Sequence, residues 1–137
     1  MKLFFSFLLV IFFAPYFSLK AQDINFNNYF FDNQITFYSL SNFIETDNIT
    51  VYDEGKRINE TQYKYQKEKV NQEIKIVHSI PKIEKYLILS DYIINDNLAV
   101  ISFADSKKKK YIIYTFKRSS KEDKWWSLLS IYDGSMN

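Results

Sequence analysis

Apolar residues follow three different rhythms along this chain. The first is a block: Leu3 to Phe13 is apolar except for Ser6, preceded by Met1-Lys2 and followed by Ala14-Pro15-Tyr16-Phe17-Ser18-Leu19-Lys20-Ala21 and the polar pair Gln22-Asp23. The second is helical. Phe26, Phe30, Phe37, Leu40 and Ile44 recur at helical spacing with Asn33 as the one polar gap, and Asp23 or Asn25 is placed to cap the start. This spacing predicts a mainly helical segment over 25–44, although Ile35-Thr36-Phe37-Tyr38 alone would also suit a strand. The third rhythm is β-type. Tyr86 to Leu89, Leu98 to Phe103, Tyr111 to Phe116 and Trp125 to Tyr132 are rich in β-branched and aromatic residues. Polar turns separate them at Asn95-Asp96-Asn97, Asp105-Ser106-Lys107-Lys108 and Ser119-Ser120-Lys121-Glu122-Asp123, as hairpin connections require.

The middle of the chain is mixed. Ile49-Thr50-Val51-Tyr52 predicts a short strand that ends in the turn sequence Asp53-Glu54-Gly55-Lys56. Over 62–77, Tyr63, Val70, Ile74 and Val77 share a helical face, and Lys64, Lys67, Glu68, Lys69, Gln72 and Glu73 are good helix formers, so a helix is expected. Tyr63, Tyr65, Ile74 and Ile76 would suit strands instead. Pro81 ends whatever precedes it. In the third β-type run, Ile112, Tyr114 and Phe116 share one face and Tyr111, Ile113, Thr115 and Lys117 the other. Apolar groups on both faces imply a sheet covered on one side and partly covered, or curled around a pocket, on the other. The fold class read from these patterns is α+β: an N-terminal helix packed on a curved antiparallel sheet with a C-terminal three-strand meander.

The apolar block changes how composition is read. One positive charge, a short greasy run and a small residue before a polar start form a secretory signal peptide. A membrane span needs about 20 apolar residues, and Pro15 and Lys20 cut this run short. The expected organisation is therefore a signal peptide over 1–21 and a single α+β domain over 22–137, exported to the periplasm or the medium and without a stable membrane anchor after cleavage. The whole chain has 18 basic and 16 acidic residues; Lys2 and Lys20 leave with the signal, so the mature chain has 16 of each. A balanced charge gives no general pull toward nucleic acid or anionic lipid. The chain contains no cysteine, which excludes disulfides, thiolate metal sites and lipoprotein processing. Asn48-Ile49-Thr50 and Asn59-Glu60-Thr61 match the glycosylation sequon, a short pattern that arises readily in an Asn-rich chain.

Asp96-Asn97-Leu98-Ala99-Val100-Ile101-Ser102-Phe103, then Tyr114-Thr115-Phe116-Lys117-Arg118, then Trp126-Ser127-Leu128-Leu129-Ser130-Ile131-Tyr132 resembles the closing meander of the nuclear-transport-factor-2-like, cystatin-like α+β superfamily. The ending Tyr132-Asp133-Gly134-Ser135 is similar to small exported families of unknown function within it. The resemblance covers 96–135 and implies that segment 25–44 is the helix lying on the sheet. It also implies a pocket between helix and sheet, lined by Tyr114, Phe116 and Trp126. Residues 45–85 depart from the pattern, because no second and third helix is evident there.

Candidate chemistry is sparse. His78 is the one histidine, in Val77-His78-Ser79-Ile80, and reads as a satisfied or exposed loop residue; with no cysteine beside it, the common zinc ligand sets cannot be assembled. Carboxylates fall mostly at turns (Asp53-Glu54, Asp96, Asp105, Glu122-Asp123), where turn chemistry explains them. Enzymes of the resembled superfamily place an acid and a tyrosine inside the cone. Here Asp91 is the one mid-strand acid, and Tyr38, Tyr86, Tyr92 and Tyr114 are the available phenols. Lys107, Lys108, Lys109 and Lys110 form the densest charge run, a solvated hairpin loop or an anion grip. Trp125-Trp126 puts one indole on each face, Trp126 in the core and Trp125 on an interaction surface together with the four lysines. The expected function is an exported non-catalytic domain that binds an unknown small ligand or protein, with no catalytic residues, no metal and no cofactor. The alternatives are an isomerase- or dehydratase-like enzyme with a Tyr/Asp pocket, and an immunity or inhibitor protein against an exported toxin or hydrolase.

Overall fold

The computed structural model describes residues 24–67 and 70–136. The expected signal peptide, 1–21, lies outside the described residues. The helical segment is two helices rather than one: α1 spans Ile24–Phe31 and α2 spans Gln34–Ile44. The break falls at Asn33, the polar gap in the apolar stripe. Its backbone is extended (φ −81°, ψ 125°) and its Oδ1 accepts the Ile35 N–H at 2.8 Å, so a residue that competes for backbone donors starts a new helix. Glu45 ends α2 in the left-handed region (φ 60°, ψ 42°), and its N–H donates to Ser41 C=O.

Seven strands follow: β1 Asn48–Tyr52, β2 Thr61–Lys67, β3 Val70–Val77, β4 Leu87–Ile94, β5 Leu98–Asp105, β6 Lys110–Lys117 and β7 Ser127–Ser135. They form one sheet in the order β2-β3-β1-β4-β5-β6-β7. Among the described residues the fold is thus α+β with two helices and a mixed sheet, which corrects the expectation of an antiparallel one. β1 runs parallel to both β3 and β4, while β4 through β7 alternate antiparallel in chain order. The helix expected over 62–77 is corrected too: 62–67 and 70–77 lie in the antiparallel strands β2 and β3, with Tyr63 opposite Ile74 and Tyr65 opposite Gln72. Period-two alternation prevails there because it turns Tyr63 and Tyr65 toward the helices. Tyr63 stacks on Phe31 at 5.0 Å and Tyr65 meets Phe37 at 4.6 Å. These contacts outweigh a helix propensity of a few tenths of a kcal/mol per residue. The last strand starts at Ser127, two residues later than the apolar run suggested, so both tryptophans precede it.

Both helices lie over one face of the sheet. Phe26 meets Phe116 at 5.4 Å, Phe30 meets Phe103 at 6.0 Å and Tyr114 at 5.0 Å, and Phe31 and Phe37 reach the β2 tyrosines. The core continues through Leu40, Ile49, Val51, Ile74, Leu87, Leu89, Ile101 and Ile112, all buried. At the turn after β1, the fully buried Asp53 accepts Arg57 Nε at 3.2 Å and Ile58 N–H at 2.8 Å. Arg57 goes on to the Leu89 and Ser90 carbonyls at 2.5 and 3.0 Å, tying the loop to β4.

Candidate functional site

Tyr114, Phe116 and Trp126 come together between helices and sheet, but they fill that space. Tyr114 is fully buried, Phe116 is 2% exposed and Trp126 is 4% exposed. Phe26 sits edge-on to Trp126 at 5.3 Å, Tyr29 to Phe116 at 5.8 Å, and Tyr114 stacks beside Phe116 at 6.5 Å. Ring contacts at these distances are core packing. Surface depressions of about 130, 310 and 370 Å³ lie elsewhere, and none is lined by these three residues. The Tyr114 hydroxyl shares a 2.5 Å hydrogen bond with Ser39 Oγ of α2.

Burial raises the Tyr114 phenol above its ordinary value of 10.0, against a smaller lowering by the Ser39 hydrogen bond. Tyr65 is raised the same way by burial, with Asp32 adding to it. A phenol raised in the fold keeps its proton where the unfolded chain has lost it. Its stabilising contribution is therefore complete below pH 10 and falls as pH rises beyond it. Alkaline unfolding followed by circular dichroism should set in above pH ~10, with the tyrosinate absorbance of the buried phenols appearing in the same transition. Phenolate absorbance completed while the dichroism stays native would show that these hydroxyls reach solvent.

Trp125 is 78% exposed, its N–H donating to Asp123 Oδ1 at 2.9 Å. That hydrogen bond is the largest cause holding the Asp123 carboxyl below its ordinary range. Trp126 carries the Arg118 guanidinium 4.3 Å from its ring centroid, a cation–π contact. The four lysines stand exposed at the β5–β6 turn. Asp105 Oδ1 accepts the Lys109 and Lys110 N–H groups at 2.6 and 2.8 Å, Lys108 adopts φ 53°, and Lys107 reaches Glu84 at 3.6 Å. The backbone of this loop is fixed by a turn carboxylate, while the ammonium groups project outward.

His78 follows β3 and is satisfied locally. Its Nε2 donates to Ile58 C=O at 2.6 Å and its backbone N–H donates to Glu60 Oε1 at 2.8 Å. Asp91 sits at a β-bulge where the β4–β5 register slips between Leu89 and Asp91, and it accepts Ser102 Oγ at 2.5 Å. The register puts Asp91, Ser102 and Ile113 in one row and Tyr92, Ile101 and Tyr114 in the next. Neighbouring rows face opposite sides of a sheet, so Asp91 and the Tyr114 phenol are on different faces. Tyr92 donates to Asn27 Oδ1 at 2.7 Å, Tyr86 meets Tyr52 edge-on, and Tyr38 lies on the exposed side of α2. Among the described residues no three His, Asp or Glu side chains converge as a metal site would need.

The sequence reading expected apolar groups on both faces of the sheet, but did not locate them on the helix-free face. On the β2–β3 side it is polar: Gln62 opposite Lys75 and Lys64 opposite Glu73, with Gln62 Nε2 donating to Glu73 Oε2. From β4 to β7 it carries apolar groups around the exposed Asp91 and its partner Ser102. Ile88 lies opposite Ala104, Ile93 opposite Val100, and Ile113 opposite Tyr132, with Ile93 50% and Tyr132 61% exposed. The available signal was the apolar residues at both phases of 111–116. Comparison with protein-family models, with curated proteins and with solved structures gives no match.

Proposed function

We infer that this protein is an exported, non-catalytic domain that binds another protein through the helix-free face of β4–β6. One observation carries the reading: aromatic rings fill the helix side of the sheet, while the opposite face is charged over β2–β3 and, over β4–β6, presents apolar groups around the single carboxylate of Asp91, which is engaged by Ser102. An uncovered apolar patch on a folded domain marks an interaction surface. Small-ligand binding is the weaker half of the expectation, since Tyr114, Phe116 and Trp126 are engaged with one another and with α1. The Asp91–tyrosine enzyme reading has no supporting geometry in these rows. The leader-like residues 1–21 support export, and the lack of cysteine is consistent with a product that is not lipid-anchored. Among the described residues no helix is long and apolar enough to cross a membrane. A helical layer followed by β5, β6 and β7 in antiparallel succession supports membership of the nuclear-transport-factor-2-like, cystatin-like superfamily. An immunity or inhibitor role against an exported toxin or hydrolase is the kind of function such a surface serves.

The test is site-specific photocrosslinking in the producing cells, with the probe at Ile93 on the apolar half and at Lys75 on the polar half. A discrete adduct with a second, exported protein at Ile93 and none at Lys75 is expected. Adducts at both positions, or none at Ile93, would overturn the reading. Once the partner is in hand, Ile93→Ala should weaken binding more than replacing Lys107, Lys108, Lys109 and Lys110 together by Ser, because the contact depends on apolar burial. Calorimetry at two salt concentrations checks it; steep salt dependence with loss of binding in the lysine variant alone would mean an anionic polymer or membrane partner.

A further inference from the structure

The two edges of the sheet are built differently. β2 carries Gln62 and Lys64, polar and charged residues of the kind that blunt a sheet edge. β7 reads Ser-Leu-Leu-Ser-Ile-Tyr-Asp-Gly-Ser, with no lysine, arginine or proline and a single charge at Asp133. Its blunting device is one bulge, where Leu129 is the extra residue between Leu128 opposite Phe116 and Ser130 opposite Thr115. Among the described residues no strand pairs with its other side. Leu128, Leu129, Ile131 and Tyr132 are exposed along it, with Trp125 just before and Met136 just after.

The backbone phase of this edge is legible. The Met136 N–H donates to Lys109 C=O at 2.8 Å, so the even-numbered residues near the end of β7 turn their amides toward β6. In an antiparallel ladder the alternate residues then face outward. Ile131, Asp133 and Ser135 therefore present N–H and C=O groups to the free side.

We propose that β7 pairs antiparallel with β7 of a second copy of this chain about a two-fold axis at Ile131, joining two sheets into one. In that register Ile131 meets Ile131, Ser130 meets Tyr132, Leu128 meets Gly134 and Leu129 meets Asp133. Tyr132 and Leu128 lie opposite the small Ser130 and Gly134, and the two Asp133 carboxylates are separated by about four residues, roughly 13 Å, so no like charges oppose each other. The register also brings Trp126 level with Met136 and so sets the exposed Trp125 of each copy beside Met136 of the other. The two apolar extremities of the edge are covered together only when the strands run antiparallel. The six apolar side chains from Trp125 to Met136 expose on the order of 600 Å² per copy, so covering them on both copies reaches the ~1,000 Å² that a specific interface needs. Pairing at this edge leaves Ile88, Ile93 and Val100 open, so it is independent of the partner surface inferred above and brings two such surfaces into one plane.

The experiment is sedimentation of the purified protein over a concentration series, beside two sets of variants. The parent is expected to approach the mass of two chains as concentration rises. Leu129→Lys with Tyr132→Lys should hold the mass at one chain while the native circular dichroism is retained, its melting transition no longer rising with concentration as the parent's does. In this cysteine-free chain, Ile131→Cys places one thiol on the axis, and paired Cα atoms about 5.5 Å apart satisfy disulfide geometry. Oxidised Ile131→Cys should run as a covalent dimer, whereas Ser135→Cys, far from its own equivalent, should not. A parent that stays at one chain throughout, a double-lysine variant that still dimerises, or cross-linking at Ser135 instead of Ile131 would each overturn the pairing. The Ile93 crosslink to a different protein would stand or fall separately.

Discussion

Trp126→Ala is expected to lower unfolding stability by about 3–5 kcal/mol, the range for removing a large aromatic from a packed interior. The indole is 4% exposed, lies 5.3 Å from Phe26 across the helix–sheet boundary, and supports Arg118 from below. Its removal opens a space between α1 and the start of β7 and leaves the guanidinium held by its hydrogen bond to the Asp96 carbonyl, 2.5 Å away. Such a loss is a large fraction of the 5–15 kcal/mol typical of a small domain. Trp125→Ala, one residue earlier and exposed, should stay within about 0.5 kcal/mol of the parent. Urea denaturation of both variants checks the contrast. Equal midpoints for Trp126→Ala and the parent would remove the indole from the core.

The second large effect is expected at Arg57→Ala, about 3–5 kcal/mol by the same measurement, for a different reason. Asp53 is fully buried, and Arg57 is its charged partner. Taking away one member of a buried ion pair leaves the other charge uncompensated, which costs more than the pair contributes when intact. Arg57 also donates to the carbonyls of Leu89 and Ser90, so the variant loses the clamp between the β1 loop and the β4 bulge. Asp53→Asn with Arg57 retained should cost less, because the neutral amide still accepts the Ile58 N–H. Comparable losses from the two variants would mean that the charge on Asp53 is not what Arg57 compensates.

The elements that were legible are those whose pattern is local. The β-branched and aromatic runs Leu98–Phe103 and Tyr111–Phe116, each bounded by polar turns, predict β5 and β6. The division of 25–44 into two helices was visible only as Asn33 interrupting the apolar stripe, and a cap looks the same in sequence as a tolerated polar residue. The β2–β3 pair was hidden because Lys64, Glu73 and their neighbours are good helix formers, and the rings that decide the outcome, Phe31 and Phe37, lie some thirty residues upstream. The parallel placement of β1 has no local signal at all. Asp53 read as a turn residue since its burial depends on Arg57 reaching β4. Among the candidate site residues, the sequence carries the fact that neighbouring indoles point apart, but not whether Tyr114, Phe116 and Trp126 enclose space or occupy it. That depends on how far α1 descends, and Phe26 and Phe30 descend far enough to touch the rings.

The position of β1 also constrains the order in which the chain can assemble. β4 to β7 form from successive hairpins, each closing a short loop. β1 sits between β3 and β4, and its partners are Glu73–Val77 on one side and Leu87–Ile88 on the other, all later in the chain. The Ser39–Tyr114 contact is wider still, spanning 75 residues. Non-local pairings incur their loop-closure entropy before any contact rewards it and slow folding accordingly. The rate-limiting barrier is therefore expected at the insertion of β1, with the C-terminal hairpins already in place as the template. Until that insertion Phe31 and Phe37 lack the β2 tyrosines they pack on, because β2 and β3 join the rest of the sheet through β1, and in that interval the chain is at its most vulnerable to aggregation.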